Sequence, residues 1–128
     1  MTIAITIITP TYNRAQMLEK VIKSISAQTF QNFEHLIIDD GSSDDTKETV
    51  LNLIKTRKHS KYLFKENGGE ASAVNLGWQK AVGKYVVIIN SDDPQPPELL
   101  QTIFDFMENN PDISVGYPDW TSIDENSK

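Results

Sequence analysis

The stretch Tyr85-Val-Val-Ile-Ile-Asn-Ser-Asp-Asp93 decides how this chain of 128 residues reads. A run of β-favouring apolar residues ends abruptly on an amide, a hydroxyl and two adjacent carboxylates, with Pro94, Pro96 and Pro97 just beyond. An apolar run bounded by turn signals predicts a strand buried on both faces, the kind found in parallel sheets. Such a strand delivers its last residues to the carboxyl edge of the sheet, where open α/β folds bind ligands. Two aspartates there repel each other, and holding them together calls for a cation or hydrogen-bond donors. One Asp by itself reads equally well as a helix cap. The pattern recurs in Leu36-Ile-Ile-Asp39-Asp40-Gly41, and the recurrence favours a shared site.

Working outward, Ile3 to Ile8 reads as a first strand that Pro10 terminates, with Asn13 as N-cap of the next helix. Leu18, Val21, Ile22 and Ile25 then recur at helical spacing and form one apolar face. A second strand is expected from Phe33 to Ile38, followed by a helix through Val50, Leu53 and Ile54. A short third strand falls at about Tyr62 to Lys65. Asn67-Gly68-Gly69 turns the chain into a helix expected to carry Ala71, Val74, Trp78, Ala81 and Val82 inward, with Gly83 as its C′ residue. Pro96-Pro97-Glu98 opens a fourth helix, closed by Asn109-Asn110-Pro111. Ile113 to Tyr117 reads as a fifth strand, and Pro118 to Lys128 as a polar tail. Strand and helix alternate throughout. The expected class is α/β, a mostly parallel sheet of about five strands with helices on both faces.

Hydrophobic content of 38% and charged content of 23% are ordinary for a globular protein. A net charge of −6 argues against nucleic acid as partner. An acidic chain still binds an anionic ligand where a metal or helix N-termini supply positive potential. No cysteine is present, so disulfides and thiolate metal sites are out. The apolar start Met1 to Thr9 has no basic leader and is too short to span a bilayer. It suggests a cytoplasmic domain, free or peripheral to the inner face of a membrane.

If strands one, two and four are parallel, Tyr12-Asn13, Asp39-Asp40 and Asn90 to Asp93 surround one crevice. Carboxylate, amide and hydroxyl form a hard-oxygen set suited to Mg²⁺ or Mn²⁺ rather than Zn²⁺. His35 and His59 read as structural or solvated. A divalent ion held by one or two carboxylates leaves positions open for phosphate oxygens, and an exposed Tyr12 beside it could stack on a base. A packing role for Tyr12 stands equally open. Neither G-x-G-x-x-G nor G-x-x-x-x-G-K-[ST] occurs, which removes dinucleotide and P-loop readings. Gly68-Gly69 alone reads as a turn, and Trp78 as core.

The blocks in order make a further statement. Ile-Thr-Pro-Thr-Tyr-Asn-Arg14, Ser-Ile-x-x-Gln-Thr-Phe-x-Asn-Phe-Glu34 and Ile-Ile-Asp-Asp-Gly-Ser-Ser-Asp-Asp-Thr46 are followed by Asn67-Gly-Gly, Asn75-Leu-Gly77, Ala81-Val-Gly-Lys-Tyr85 and Asn90-Ser-Asp-Asp93. This series closely resembles family 2 glycosyltransferases of the GT-A fold over about residues 3 to 117. The resemblance implies a Rossmann-like half that binds a nucleoside-diphosphate sugar, with UDP as the first expectation. It places Pro10, Thr11 and Tyr12 in the base pocket, Asp40 at the base edge, and Gly68 and Gly69 near the sugar diphosphate. Asn90 stands where the family's first Asp meets the ribose, Ser91 beside it, and Asp92 where the last Asp binds Mn²⁺ or Mg²⁺ and the diphosphate.

Two departures bear on activity. Asn90 replaces an Asp, and Val74 stands where many relatives place Arg. The resemblance further implies residues 1–117 as the donor-binding domain and 118–128 as the start of an acceptor half that would carry the catalytic base. No base is assigned, since Asp119, Asp124 and Glu125 have no motif around them. The expectation is donor binding with weak transfer by this chain alone, to a glycan or lipid-linked acceptor, and self-association through an exposed sheet edge. Two other classes compete. A decayed scaffold would lack metal-dependent nucleotide binding. A phospho-receiver domain would need an acidic pair after strand one, an Asp after strand three and a Lys after strand five. The chain has Pro-Thr-Tyr-Asn, Lys65-Glu66 and Tyr117-Pro118 there.

Overall fold

The computed structural model describes residues 2–114, in which four strands and four helices alternate. They are β1 (Ile5–Thr11), α1 (Ala15–Ser26), β2 (Phe33–Asp39), α2 (Thr46–Ile54), β3 (Ser60–Phe64), α3 (Glu70–Lys80), β4 (Tyr85–Ile88) and α4 (Leu99–Asn109). The strands form one sheet in the order β3-β2-β1-β4, and every pair is parallel. Four strands stand where about five were expected. Ile113 and Ser114 form no strand, and the remainder of that expected strand, with the tail 118–128, lies outside the described residues. Among the described residues no helix is long and apolar enough to cross a membrane.

The two-residue period of β1 and β2 sorts the core onto two faces. Ile5 and Ile7 of β1 pack with Phe33, with Val21 and Ile25 of α1 and with Leu100 of α4. Ile37 joins Leu18 and Ile22 of α1 and Val50 of α2 on that face. Ile8, Leu36 and Ile38 point the other way, against Ala73 of α3. The apolar stripe read in α1 is thus its buried face, and each such side chain contributes about 1.5–3 kcal/mol.

Several expectations need correction. β1 does not stop at Ile8 but runs through Pro10 to Thr11, paired with β2 as far as Asp39. The Ile8 carbonyl accepts from Ile89 N on the β4 side, so two residues on the missing N–H of Pro10 faces that same side. There the ladder with β4 has ended at Ile88, and no sheet bond is lost. β4 itself is not buried on both faces. It is an edge strand among the described residues, half-buried over Tyr85 to Val87, with Ile88 49% exposed. The doubly buried strands are β1 and β2, because α3 lies over those two.

The inward face of α3 was also misread. Its buried residues are Ala73 and Gly77, and Trp78 and Val82 are exposed at 60% and 63%. A Cβ on Gly77 would stand 2.7 Å from Ile8 Cγ2, so the helix comes close to the sheet and that position has no room for a side chain. Gly83 is not the C′ residue, since α3 ends at Lys80. Its N–H donates to Thr6 Oγ1 at 2.8 Å, and buried Glu34 accepts from Thr6 Oγ1 and from Val82 N. That network pins the turn before β4 onto β1 and β2.

His35 sits in mid-sheet, fully buried, with Nε2 2.7 Å from Thr9 Oγ1 and Nδ1 without a partner among the described residues. Burial drives its pKa down from 6.5 to about 3. Between those values the unfolded chain takes a proton that the folded chain refuses. The stability it permits is therefore full above about pH 6.5 and is lost as pH falls towards about 3. His35→Gln is expected to flatten that acid limb in urea titrations at pH 7 and pH 4.5. An equally steep limb in the variant would count against His35 as the cause.

Candidate functional site

The order β3-β2-β1-β4 places the reversal of winding between β1 and β4, since β1 leads to β2 on one side and β4 joins on the other. Ligands of open α/β sheets sit at such a point, beyond the carboxyl ends of the strands. Here β1 continues to Thr11 after its pairing with β4 has ended, and the divergence opens a cleft of about 380 Å³. Pro10, Thr11 and Tyr12 line it from the end of β1, Asp40 from the end of β2, and Asn90, Ser91 and Asp92 from the loop after β4. Residues up to 82 positions apart in sequence (10 to 92) thus meet in one place. Gly68 and Gly69 do not line the cleft but stand behind Asp40.

Each wall is held by specific bonds. Asn13 does not cap α1. It takes a left-handed conformation, φ 51°, which Asn tolerates, and turns its amide towards the β2–α2 loop. Its Oδ1 accepts from Ser43 N and Asp44 N, and its own N–H donates to Ser42 Oγ at 2.8 Å. The loops after β1 and β2 are thereby locked together, and Arg14 occupies the position before α1. Asp39 is buried and structural, accepting from Ser42 N and from the Tyr62 hydroxyl at 2.5 Å.

Asp40, 4% exposed, accepts at Oδ1 from Lys65 Nζ at 2.9 Å and Gly68 N at 3.0 Å, and at Oδ2 from Gly69 N at 2.9 Å. Burial alone would raise its pKa, but the three donors outweigh it and hold the carboxyl below its usual value. Gly69 has φ 99°, a conformation that lets its N–H point back at Asp40 before α3 begins. The loop carrying Asn90 to Asp93 is tied to α1. Gln95 N donates to Ser24 Oγ, and buried Gln28 donates to Pro96 O and accepts from Leu100 N.

Two lining residues were not anticipated, Arg14 and Glu70. Arg14 Nη1 lies 3.3 Å from Asp92 Oδ2, both side chains about half exposed. The signal for Arg14 was present in the Thr-Pro-Thr-Tyr-Asn-Arg run, but nothing local links it to a residue 78 positions away (14 to 92). Glu70 opens α3 and carries no sequence signal beyond that. Thr11 Oγ1 is buried in the cleft wall with no partner among the described residues. Such a hydroxyl costs about 1–3 kcal/mol unless a ligand or water satisfies it.

Of the three carboxylates that line the cleft, Asp40 is engaged by Lys65, Gly68 and Gly69, so a divalent cation could be held by Asp92, with Asn90 and Ser91 beside it and Glu70 also lining the cleft. Among the described residues no three His, Cys, Asp or Glu side chains converge to make a closed metal cage. That set fits an Mg²⁺-like or Mn²⁺-like ion that takes its remaining ligands from phosphate and water. It does not fit structural zinc.

A parallel α/β sheet with a polar cleft at its switch point defines a Rossmann-like protein with a ligand-binding crevice at the carboxyl edge of its sheet. The chain belongs to glycosyl transferase family 2, whose family model matches residues 6–128. It is 41% identical, over 97% of its length, to an uncharacterized glycosyltransferase of Rickettsia conorii, and spans 20% of that protein. It is similar to S. aureus TarS 1-349 in complex with UDP-GlcNAc, with TM-score 0.77 and 26% identity over 83% of this chain and 31% of that one. The mannosyltransferase PcManGT from Pyrobaculum calidifontis, in complex with GDP-Man and Mn²⁺, is similar at TM-score 0.67. Its identity is 29%, over 72% of this chain and 28% of that chain.

Proposed function

We propose that this chain is the donor-binding part of a glycosyltransferase that takes a nucleoside-diphosphate sugar, UDP-linked in the first instance. The observation that carries the reading is the single cleft formed by Pro10, Thr11, Tyr12, Asp40, Asn90, Ser91 and Asp92. Half-exposed Tyr12 offers a ring face to the base. Asp40 has one lone-pair position left on Oδ2 for a base-edge N–H, and Gly68 and Gly69 keep the backbone behind it in place. The Asn90 amide is suited to a ribose hydroxyl.

Asp92 would hold Mn²⁺ or Mg²⁺, which stabilises negative charge on the departing diphosphate. The reaction class is displacement of the nucleoside diphosphate by an acceptor hydroxyl of a glycan or lipid-linked glycan, with inversion at the anomeric carbon. UDP-GlcNAc in TarS supports a UDP donor, and GDP-Man with Mn²⁺ in PcManGT supports both the metal and GDP as the competing nucleotide. Calorimetric titration of UDP and of GDP, each with and without Mn²⁺, tests the reading. Tighter binding of UDP than GDP, strengthened by Mn²⁺, is the expected result. No binding of either nucleotide to folded protein would overturn it.

A further inference from the structure

The charges around the cleft do not balance in a way that welcomes a diphosphate. Asp40, Glu70 and Asp92 line it against one lining cation, Arg14. Asp40 is already paired with Lys65 at 2.9 Å, and Arg14 is on Asp92 at 3.3 Å. Arg14 has its backbone fixed, because its carbonyl accepts from Leu18 N in the first turn of α1. Its side chain is 49% exposed and has no other ion-pair partner among the described residues. A cation anchored at the Cα and free at the guanidinium can reach more than one anion.

Resting on the donor-site reading, we propose that Arg14 is an exchangeable counter-ion. It neutralises Asp92 when no metal is bound, and turns onto the donor's diphosphate when a divalent cation takes that carboxylate. Half-exposed pairs of this kind are weak enough to exchange, and a planar guanidinium matches phosphate oxygens well. Were Arg14 to leave Asp92 with no cation to replace it, the bare carboxylate would face the incoming diphosphate. Metal and nucleotide therefore favour each other's binding through Arg14 as well as through their direct contact, and the coupling is reciprocal. The bland alternative is that Arg14 only braces the loop after β4.

Arg14→Gln and Arg14→Lys separate the two, using MnCl₂ alone and UDP with and without MnCl₂ as probes. Mn²⁺ alone is expected to bind Arg14→Gln about two- to fivefold tighter than wild type, because its competitor is gone. UDP in the presence of Mn²⁺ is expected to bind the same variant about tenfold weaker, one charge-assisted contact having been lost. Arg14→Lys should move both affinities back towards wild type. A brace would weaken both, so no gain in Mn²⁺ affinity for Arg14→Gln overturns the exchange. If wild type shows Mn²⁺-dependent UDP binding and Arg14→Gln matches it throughout, the exchange fails and the donor site stands. If wild type binds neither UDP nor GDP with Mn²⁺, both readings fall together. Circular dichroism melts of each variant establish that the comparison is between folded proteins.

Discussion

Asp40→Ala is expected to lower the unfolding free energy by about 3 kcal/mol and to abolish measurable UDP binding. Its carboxylate is the common acceptor for Lys65 Nζ, Gly68 N and Gly69 N, three donors from the segment between β3 and α3. Truncation leaves the Lys65 ammonium, on a side chain 18% exposed, with the Glu66 carbonyl but no counter-charge, and two backbone N–H groups without that acceptor. Breaking a buried pair costs about 3–5 kcal/mol, and the partial exposure of Lys65 brings this one to the lower end. With its acceptor gone the Gly69 N–H no longer ties the turn before α3 to the end of β2, and the turn is expected to loosen and shift Glu70 in the cleft wall. Asp40→Asn keeps the shape but turns an NH₂ towards a donor, so an intermediate loss is expected. Urea denaturation and UDP titration read the two effects separately. A loss below about 1 kcal/mol would show that the clamp is not structural.

The same clamp has a pH signature of the same sign as that of His35, set at lower pH. Asp40 has a folded pKa held below its ordinary value of 3.8. Its stabilisation is therefore complete above that value and is lost as pH falls below it, through the folded pKa. His35 acts earlier, from about pH 6.5 downwards. Two acid limbs at different pH are expected in wild type, with His35→Gln removing the upper one and Asp40→Asn weakening the lower, to which Asp44 also contributes.

Asp92→Ala is expected to lower UDP affinity in Mn²⁺ about a hundredfold while leaving stability within about 0.5 kcal/mol of wild type. Substituting even an outer-shell partner of a metal site costs about 10–100-fold, and Asp92 would be the direct protein ligand. The stability is spared because Asp92 is about half exposed and its ion pair with Arg14 is worth little in water. The Mn²⁺ dependence itself is the sharper readout. In the variant, UDP should bind equally with and without Mn²⁺. Retained Mn²⁺ dependence would place the metal elsewhere and remove Asp92 from the site.

Much of the fold was legible because its cause is local and periodic. The stripe Leu18, Val21, Ile22 and Ile25 is the buried face of α1, and Phe33 to Asp39 is a fully buried strand. The order of strand and helix was enough for a parallel sheet, since only crossover helices can join parallel neighbours. The errors have a common origin in facing. Trp78 reads as core by spacing, yet α3 meets the sheet through Ala73 and Gly77, with Leu76 beside them, and turns Trp78 outward. Tyr85 to Ile89 reads as a central strand by composition, yet among the described residues it is an edge, because composition does not reveal who the neighbours are. Asn13 reads as a cap for the helix next to it, yet bonds a loop 30 residues on.

Apolar period, turn residues and motif order act over a few positions at a time, and they carry the class of this protein, its family and its candidate residues. What those residues face depends on the assembled sheet. The clamp on Asp40 draws on Lys65, Gly68 and Gly69, and the Arg14–Asp92 pair joins the ends of two strands that touch only through the sheet. Such contacts depend on strand order and on where β1 outruns β4. No short stretch of sequence encodes either, because both follow from how all four strands pack at once.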